Sequence, residues 1–429
     1  MPYNPLPILL LVSGVYLLFK LRFFFILHPI RSFKRAFLSL RDKKNLASLT
    51  LALAGTLGVG NVLGVSLGII IGGAGSVFWL FLSAIPASVL KYSEVSLSED
   101  VSAREGRGMF YCIRRSFGKC GTALSYVYAL ACLLLSLVMG AALQTRSVVD
   151  AAHVLYGTEP IFTAVIAAVI VLVSAVWGGR MIGRITLIVI PLTTIIYIFL
   201  TFGTIMGNFS RFPEVINAIL TDAFTIDSGV GGLVGFLTSR SVSEGFARGI
   251  LSNEAGAGTS TLGHATGGET TPATKGLHGV LEVFFDTTLL CMLTAFAVLL
   301  SVPDPSSFSG GVELVFYAIE SSLGGFSSVL TALCILAFAY STVICWYYYG
   351  TECVTQLTGR KVSPIVFMPI FLLFVFTGAF ISDVVLVALT DCLMLVLTLL
   401  TLPVLIKSSD RIVFLSERDG YLKLKKSDS

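Results

Sequence analysis

Almost the whole chain is divided into about eleven runs of roughly twenty apolar residues, joined by short polar loops. The runs fall near 5–27, 47–72, 76–98, 119–144, 160–177, 182–207, 230–262, 276–301, 325–357, 363–380 and 383–406. A bilayer core takes about 20 apolar residues of helix, so each run is long enough to cross one. Only an all-α bundle embedded in lipid gives every run something apolar to face. The charged fraction, 13% against 55% hydrophobic, is about half of what a soluble domain carries on its surface.

The loops set a direction. With the segment after the first run in the cytoplasm, Arg31, Lys34, Arg35, Arg41, Lys43 and Lys44 fall inside. The next inside loop holds Arg104, Arg107, Arg114, Arg115 and Lys119. Later ones hold Arg180 with Arg184, then Lys275, then Arg360 with Lys361, and last the tail from Lys407 to Lys426. The outside loops hold only Arg146 and Arg211. This bias predicts an outside N-terminus and a cytoplasmic C-terminus in the cell membrane. It also accounts for the net charge of +4 as a topology signal, not a nucleic-acid surface. The first run carries no small-residue cleavage site, so it is expected to stay as a span.

Setting the first run aside leaves ten, five and five. The expected parts are residues 1–45 (extra helix and basic loop), 46–210 and 211–407 (two five-helix repeats) and 408–429 (cytoplasmic tail). Phe212 to Phe224 and Gly311 to Ser322 read as short outside segments.

The first run of each half is interrupted. One holds Gly55-Thr56-Leu57-Gly58-Val59-Gly60-Asn61; the other holds Gly245 to Gly249, then Ser252-Asn253-Glu254-Ala255-Gly256-Ala257-Gly258. Free backbone groups in lipid cost several kcal/mol each, so irregular backbone at depth belongs around an enclosed cavity. Paired interruptions in matching positions of two halves point to a carrier's binding site. Half-helix N-termini there offer N–H groups to a carboxylate and unwound carbonyls bind a cation. Close packing through small residues is the competing role for these glycines.

Asn61, Gln144, Asp286, Ser341 and Thr342 are polar groups within spans, where they face cavities or partners. A carboxylate at Asp286 must be ion-paired with Arg248 or Arg240, protonated, or bound to a cation. Glu94, Glu282 and Glu352 lie towards span ends and read as solvated or salt-bridged. Cys132, Cys291, Cys334 and Cys345 lie in apolar runs and read as small packing residues. No nucleophile–base set or metal spacing marks an enzyme.

Three blocks together are specific. They are Leu53 to Val65 with Gly72 to Trp79, Arg248 to Gly258 with Phe285-Asp286-Thr287, and Ala337 to Thr342 with Trp346 to Gly350. On these the chain resembles the alanine or glycine:cation symporters, the sodium:alanine symporter family. The resemblance implies a leucine-transporter-like fold, two inverted five-helix repeats preceded by one helix. It also implies symport of alanine, glycine or a similar small amino acid with sodium. Carried over, the sodium ligands would be the carbonyls of Ala54, Leu57 and Phe338 with the hydroxyls of Ser341 and Thr342. The substrate would rest against Gly58, Val59, Gly60 and Asn61, closed by Gln144, Phe246, Gly249 and Trp346. Asp286 and Thr287 would serve coupling or a second cation. The chain departs from the family pattern at Val59, commonly Thr, and at Arg146, commonly Asn. A proton-coupled carrier and a transport-inactive amino-acid sensor share this fold; a channel would need a continuous polar stripe.

Overall fold

The computed structural model describes residues 5–102, 108–177, 179–225, 239–265, 268, 270–361 and 363–422, and all regular structure among them is helical. α1 (Leu6–Lys20) ends before Arg22 and Phe23, both left-handed at φ 52°, and the chain turns into α2 (Pro29–Ser39). The first run thus stops as a main helix at Lys20, short of residue 27. α3 (Lys43–Thr56) and α4 (Leu63–Gly72) are the halves of one broken helix, followed by α5 (Ser76–Ser102) and α6 (Met109–Phe117). α7 (Gly121–Leu137) passes through a π-helical segment, Val138–Leu143, into α8 (Gln144–Tyr156). α9 (Pro160–Trp177), α10 (Gly179–Gly207) and the short α11 (Phe212–Ala223) complete the first half.

The second half begins with α12 (Arg240–Asn253); the expected span from 230 lies partly outside the described residues. α13 (Pro272–Val283) continues through a second π segment, Phe284–Cys291, into α14 (Met292–Ser301). α15 (Gly311–Leu323) is short, α16 (Gly325–Thr358) is the longest, and α17 (Pro364–Gly378), α18 (Asp383–Lys407) and α19 (Ser409–Arg418) follow.

Among the described residues, six continuous helices are long and apolar enough to cross a bilayer. The broken pair Lys43–Thr56 and Val59–Gly72, bent by 56°, makes a seventh, and three shorter apolar helices accompany them. The protein is a multi-pass membrane protein. Its outward faces carry exposed Phe, Ile, Val and Leu in α9, α10 and α17, the surface a lipid contact requires.

Two packing centres organise the bundle. α5 lies against α1, α12 and α13, and α16 lies against α3, α7, α8 and α10. The broken helix α3/α4 runs between the two groups. Close approach explains α1 against α5: a Cβ on Gly14 would sit 2.4 Å from Cβ of Pro86. At one end of the molecule α1, α5 and α18 finish together. There Lys20 meets Asp410 at 2.8 Å, Arg411 meets Asp100 at 2.8 and 2.9 Å, and Lys407 Nζ donates to the Ser116 carbonyl at 2.5 Å. Lys20, Lys407 and the start of the tail helix α19 therefore gather at this end.

Candidate functional site

The first break is held open by side chains. α3 ends at Thr56, and a 3-10 turn, Val59–Asn61, leads into α4. Unwinding strands carbonyls that a continuous helix would satisfy. α16 supplies partners: Thr342 Oγ1 donates to the Ala54 carbonyl at 2.9 Å and Trp346 Nε1 to the Gly55 carbonyl at 3.2 Å. Ser341 Oγ donates to the Phe338 carbonyl at 3.0 Å. Gln144 Oε1 accepts the Val59 N–H at 3.2 Å, and its Nε2 donates to the Met139 carbonyl at 3.1 Å, within the π segment. The Thr342–Ala54 bond thus joins α16, with its Phe338 and Ser341, to the end of α3, where Leu57 follows. This set of neutral hard oxygens suits a sodium ion, which needs several such donors and no fixed charge.

Gly140, in the same π segment, lets Trp346 in: a Cβ there would lie 2.2 Å from Cβ of Trp346. Gly140→Ala should cost about 1–3 kcal/mol through overpacking, read as a lowered thermal unfolding midpoint of the purified protein in detergent.

The second break lies further along than the glycines Gly245 and Gly249 suggest. α12 is continuous from Arg240 to Asn253, and these two glycines serve packing. A Cβ on Gly245 would lie 2.4 Å from the Ser76 carbonyl oxygen, and one on Gly249 2.1 Å from Ser83 Oγ, both on α5. Phe246 likewise turns to α5, its ring centroid 6.1 Å from that of Trp79. Unwinding occurs at Glu254 (φ 54°), Gly256 (φ 88°) and Gly258 (φ 76°), where left-handed backbone favours glycine. Its exposed backbone is again met by side chains. Tyr128 Oη donates to the Ala257 carbonyl at 2.7 Å, and Glu94 Oε1 accepts the Gly258 N–H at 3.2 Å.

The two breaks face each other across Ser252. Its hydroxyl lies 2.6 Å from Asn61 Oδ1 and also bonds the Asp286 carboxylate. Thr287 Oγ1 donates to Asp286 Oδ2 at 2.9 Å and accepts from Asn253 Nδ2 at 2.8 Å. Asp286 sits in the second π segment, fully buried, and its Oδ1 has no hydrogen-bond partner among the described residues. The ion pair with arginine does not form. Arg248 is taken by Glu244 at 3.2 Å and Asp391 at 3.0 Å, and Arg240 is exposed. Gly60 lies between the breaks with room beside it, its nearest neighbour to a built Cβ being Ser252 Cα at 3.7 Å.

The profile of the sodium:alanine symporter family matches residues 2–428. The chain belongs to that family. It is 28% identical to the sodium/alanine symporter AgcS of Methanococcus maripaludis, over 82% of this chain and 81% of that protein. The amino-acid carrier protein AlsT of Bacillus subtilis is 29% identical over 79% of this chain and 73% of its own length. A probable sodium/glutamine symporter of Bacillus subtilis, GlnT, is 28% identical over 82% and 75%. Among solved structures, a manganese transporter of Eremococcus coleocola shares the fold, with a TM-score of 0.53 at 15% identity, covering 86% of this chain and 76% of that one.

Within this sodium:alanine symporter family member, Arg146 turns away from the breaks. It pairs with Asp150 at 2.7 Å and donates to the Ala379 carbonyl at 3.2 Å. Both line a cavity of about 570 Å³ that also touches Glu313 on α15 and Asp383 on α18. Arg146 and Asp150 therefore belong to this cavity.

A cluster that the sequence reading did not single out lies below the second break. Glu94 and Glu282 are fully buried rather than solvated at span ends, because α5 and α13 pack face to face, and Glu282 takes the salt-bridged role that the sequence left open. Glu282 Oε1 binds Lys91 Nζ at 3.1 Å and Ser260 Oγ at 2.9 Å, and Lys91 also bonds Ser260. Glu282 Oε2 meets His264 Nε2 at 2.9 Å. The one signal in the sequence was the spacing of His278, Glu282 and Asp286, four residues apart each time, which puts them on one helix face.

Proposed function

We propose that the protein is a secondary transporter that carries a small neutral amino acid, alanine or glycine, into the cell with sodium by alternating access. The reading takes the helices as eleven spans, one extra helix and two inverted five-helix repeats, with the N-terminus outside and the C-terminus cytoplasmic. The observation that carries it is the meeting of two unwound helices across Ser252, Asn61 and Asp286 in the middle of a lipid-facing bundle. Such paired breaks supply both kinds of pole that a zwitterion and a cation need.

Sodium binds between the first break and α16, on the carbonyls of Ala54, Leu57 and Phe338 and the hydroxyls of Ser341 and Thr342. The amino acid lies against Gly58, Val59, Gly60 and Asn61, its carboxylate towards the free N–H groups that begin α4. Gln144 holds the Val59 amide in place, and Trp346 fixes the Gly55 carbonyl. Phe246 and Gly249 act from behind, by setting how closely α12 packs on α5. Asp286 and Thr287 form a second, negatively charged position for a coupling cation.

Uptake into proteoliposomes under an imposed sodium gradient, with a panel of amino acids, tests the reading. Uptake that is unchanged when sodium is replaced by choline would sink sodium coupling. Ser341→Ala combined with Thr342→Ala should raise the half-saturating sodium concentration by about tenfold or more, two hydroxyl ligands being worth at least 1.4 kcal/mol together. Near-normal sodium activation in that variant would place the ion elsewhere.

Proton coupling is the second reading, favoured by the buried, unpaired Oδ1 of Asp286. A relative from Bacillus subtilis, 29% identical over 73% of this chain and 67% of its own length, is described as a putative sodium/proton-dependent alanine carrier.

A further inference from the structure

The helix α2 meets a different environment on each of its sides. One side is seated on the protein. Ser32 and Ala36 are buried, α2 packs along α13, and Ser39 Oγ lies 2.6 Å from His278 Nε2. Phe33 stands edge-on to Phe284 with ring centroids 5.1 Å apart, and Phe37 to Phe285 at 6.5 Å. Those two phenylalanines open the second π segment, so α2 rests on the helix that carries Asp286.

The next side is apolar and open. Ile30 is 84% exposed, and Phe37, two turns on and nearly in line with it, is 49% exposed. Exposed Ile26 and Leu27 lead into the strip. An open apolar strip that adjoins a membrane-spanning helix has lipid as its contact.

The third side is basic. Lys34 is exposed beside the strip, and Arg41 and Lys43 are exposed just after α2. These three side chains have no protein partner among the described residues. Arg31 and Arg35 differ, because they tie the helix to the tail. Arg31 Nη2 donates to the Gly420 carbonyl at 3.3 Å and Arg35 Nη1 to the Asp419 carbonyl at 3.2 Å. The Arg35 guanidinium also lies 4.7 Å from the Tyr421 ring centroid. Between residues 28 and 44 the one carboxylate is Asp42, and it accepts the Lys44 N–H at 2.9 Å as a helix cap. The free cations therefore await an anion from outside the protein.

We propose that α2 is a docking surface for anionic phospholipid headgroups, in the leaflet at the end of the protein where the tail helix lies. Ile30 and Phe37 sink among the acyl chains, and Lys34, Arg41 and Lys43 reach the phosphates. A helix with an apolar edge beside a basic one lies in the boundary between headgroups and chains, and each base near an anionic surface adds to its hold. The apolar strip selects lipid over a soluble acidic partner, since it continues to Phe285 on a membrane-spanning helix. Docking holds α2 down on Phe284 and Phe285. The inference makes no use of the transported solute, so it stands or falls apart from the carrier reading.

The test places the full-length protein in nanodiscs of phosphatidylcholine, alone or mixed with phosphatidylglycerol of the same chains. Amide hydrogen exchange is followed over residues 29–44. Exchange should be slower by more than about tenfold with phosphatidylglycerol, and about 0.5 M sodium chloride should reverse most of the difference. Lys34→Gln combined with Lys43→Gln should bring the ratio between the two lipids to about fivefold or less, the share of the one base left. Equal exchange in the two lipids overturns the proposal and leaves the bases as a topology signal. An undiminished response in the double variant overturns it as well. Slowing by free glycerol phosphate in phosphatidylcholine discs would assign the bases to a soluble anion and overturn the lipid surface. The comparison between lipids needs no substitution, so it decides the proposal even where the variant fails to insert.

Discussion

Asp286→Asn should abolish concentrative uptake, lowering the sodium-driven rate by about a hundredfold, near the upper end of coupling energies between two ligands of one protein. The side chain keeps its shape, so Ser252 and Thr287 still find an oxygen to bond. What is lost is the charge, in a place with no arginine or lysine paired to it among the described residues. The same substitution should leave insertion and thermal stability close to normal, since it removes a buried charge. Direct substrate binding, read by calorimetry at saturating sodium, separates the two effects. Undiminished concentrative uptake would remove Asp286 from the coupling machinery.

Gly58→Val is expected to be as severe for a different reason. Gly58 has φ −103° and ψ −159°, an extended conformation open to any residue, so the requirement here is space. A Cβ would lie 2.8 Å from Thr342 Oγ1 and 3.0 Å from Gln144 Oε1, the two side chains that hold the first break. Valine would push both away and disturb the Val59 amide and the Ala54 carbonyl at once. Overpacking costs about 1–3 kcal/mol, enough for up to about a hundredfold loss of uptake. Gly60→Ala offers the contrast, because a Cβ there meets nothing closer than 3.7 Å within the protein. It should insert and fold normally and lose uptake only as far as the methyl competes with the solute. Normal uptake by Gly58→Val, measured at matched protein levels, would contradict the assigned geometry.

The legible part of this fold is what depends on local sequence. Apolar run length marked the helices, and the first break was readable because Gly55 to Asn61 interrupts a run that is otherwise apolar. The second was legible in its later stretch, Glu254 to Gly258, but not in Gly245 to Gly249, because glycine does two jobs. At Gly245 and Gly249 it admits α5, whereas at Gly256 and Gly258 it permits a left-handed backbone, and a single sequence does not separate these. The Lys91–Glu282 pair was hidden for another reason. Its partners are 191 residues apart, and nothing local to either predicts that α5 and α13 bury them together. Arg248 shows the same limit: its two carboxylates come from α12 and α18, and only the packed structure chooses them over Asp286.

The two π segments have a consequence for how such a bundle can move. A π turn is an α-helix with one residue too many, and passing that residue along by a turn rotates the intervening stretch by about 100° while both ends stay where they are. One such reserve lies in the helix that carries Gly140 and Gln144, the other in the helix that carries Asp286. A change at the coupling carboxylate can therefore be a local rewinding inside a helix whose termini remain anchored, in addition to any swing of whole helices.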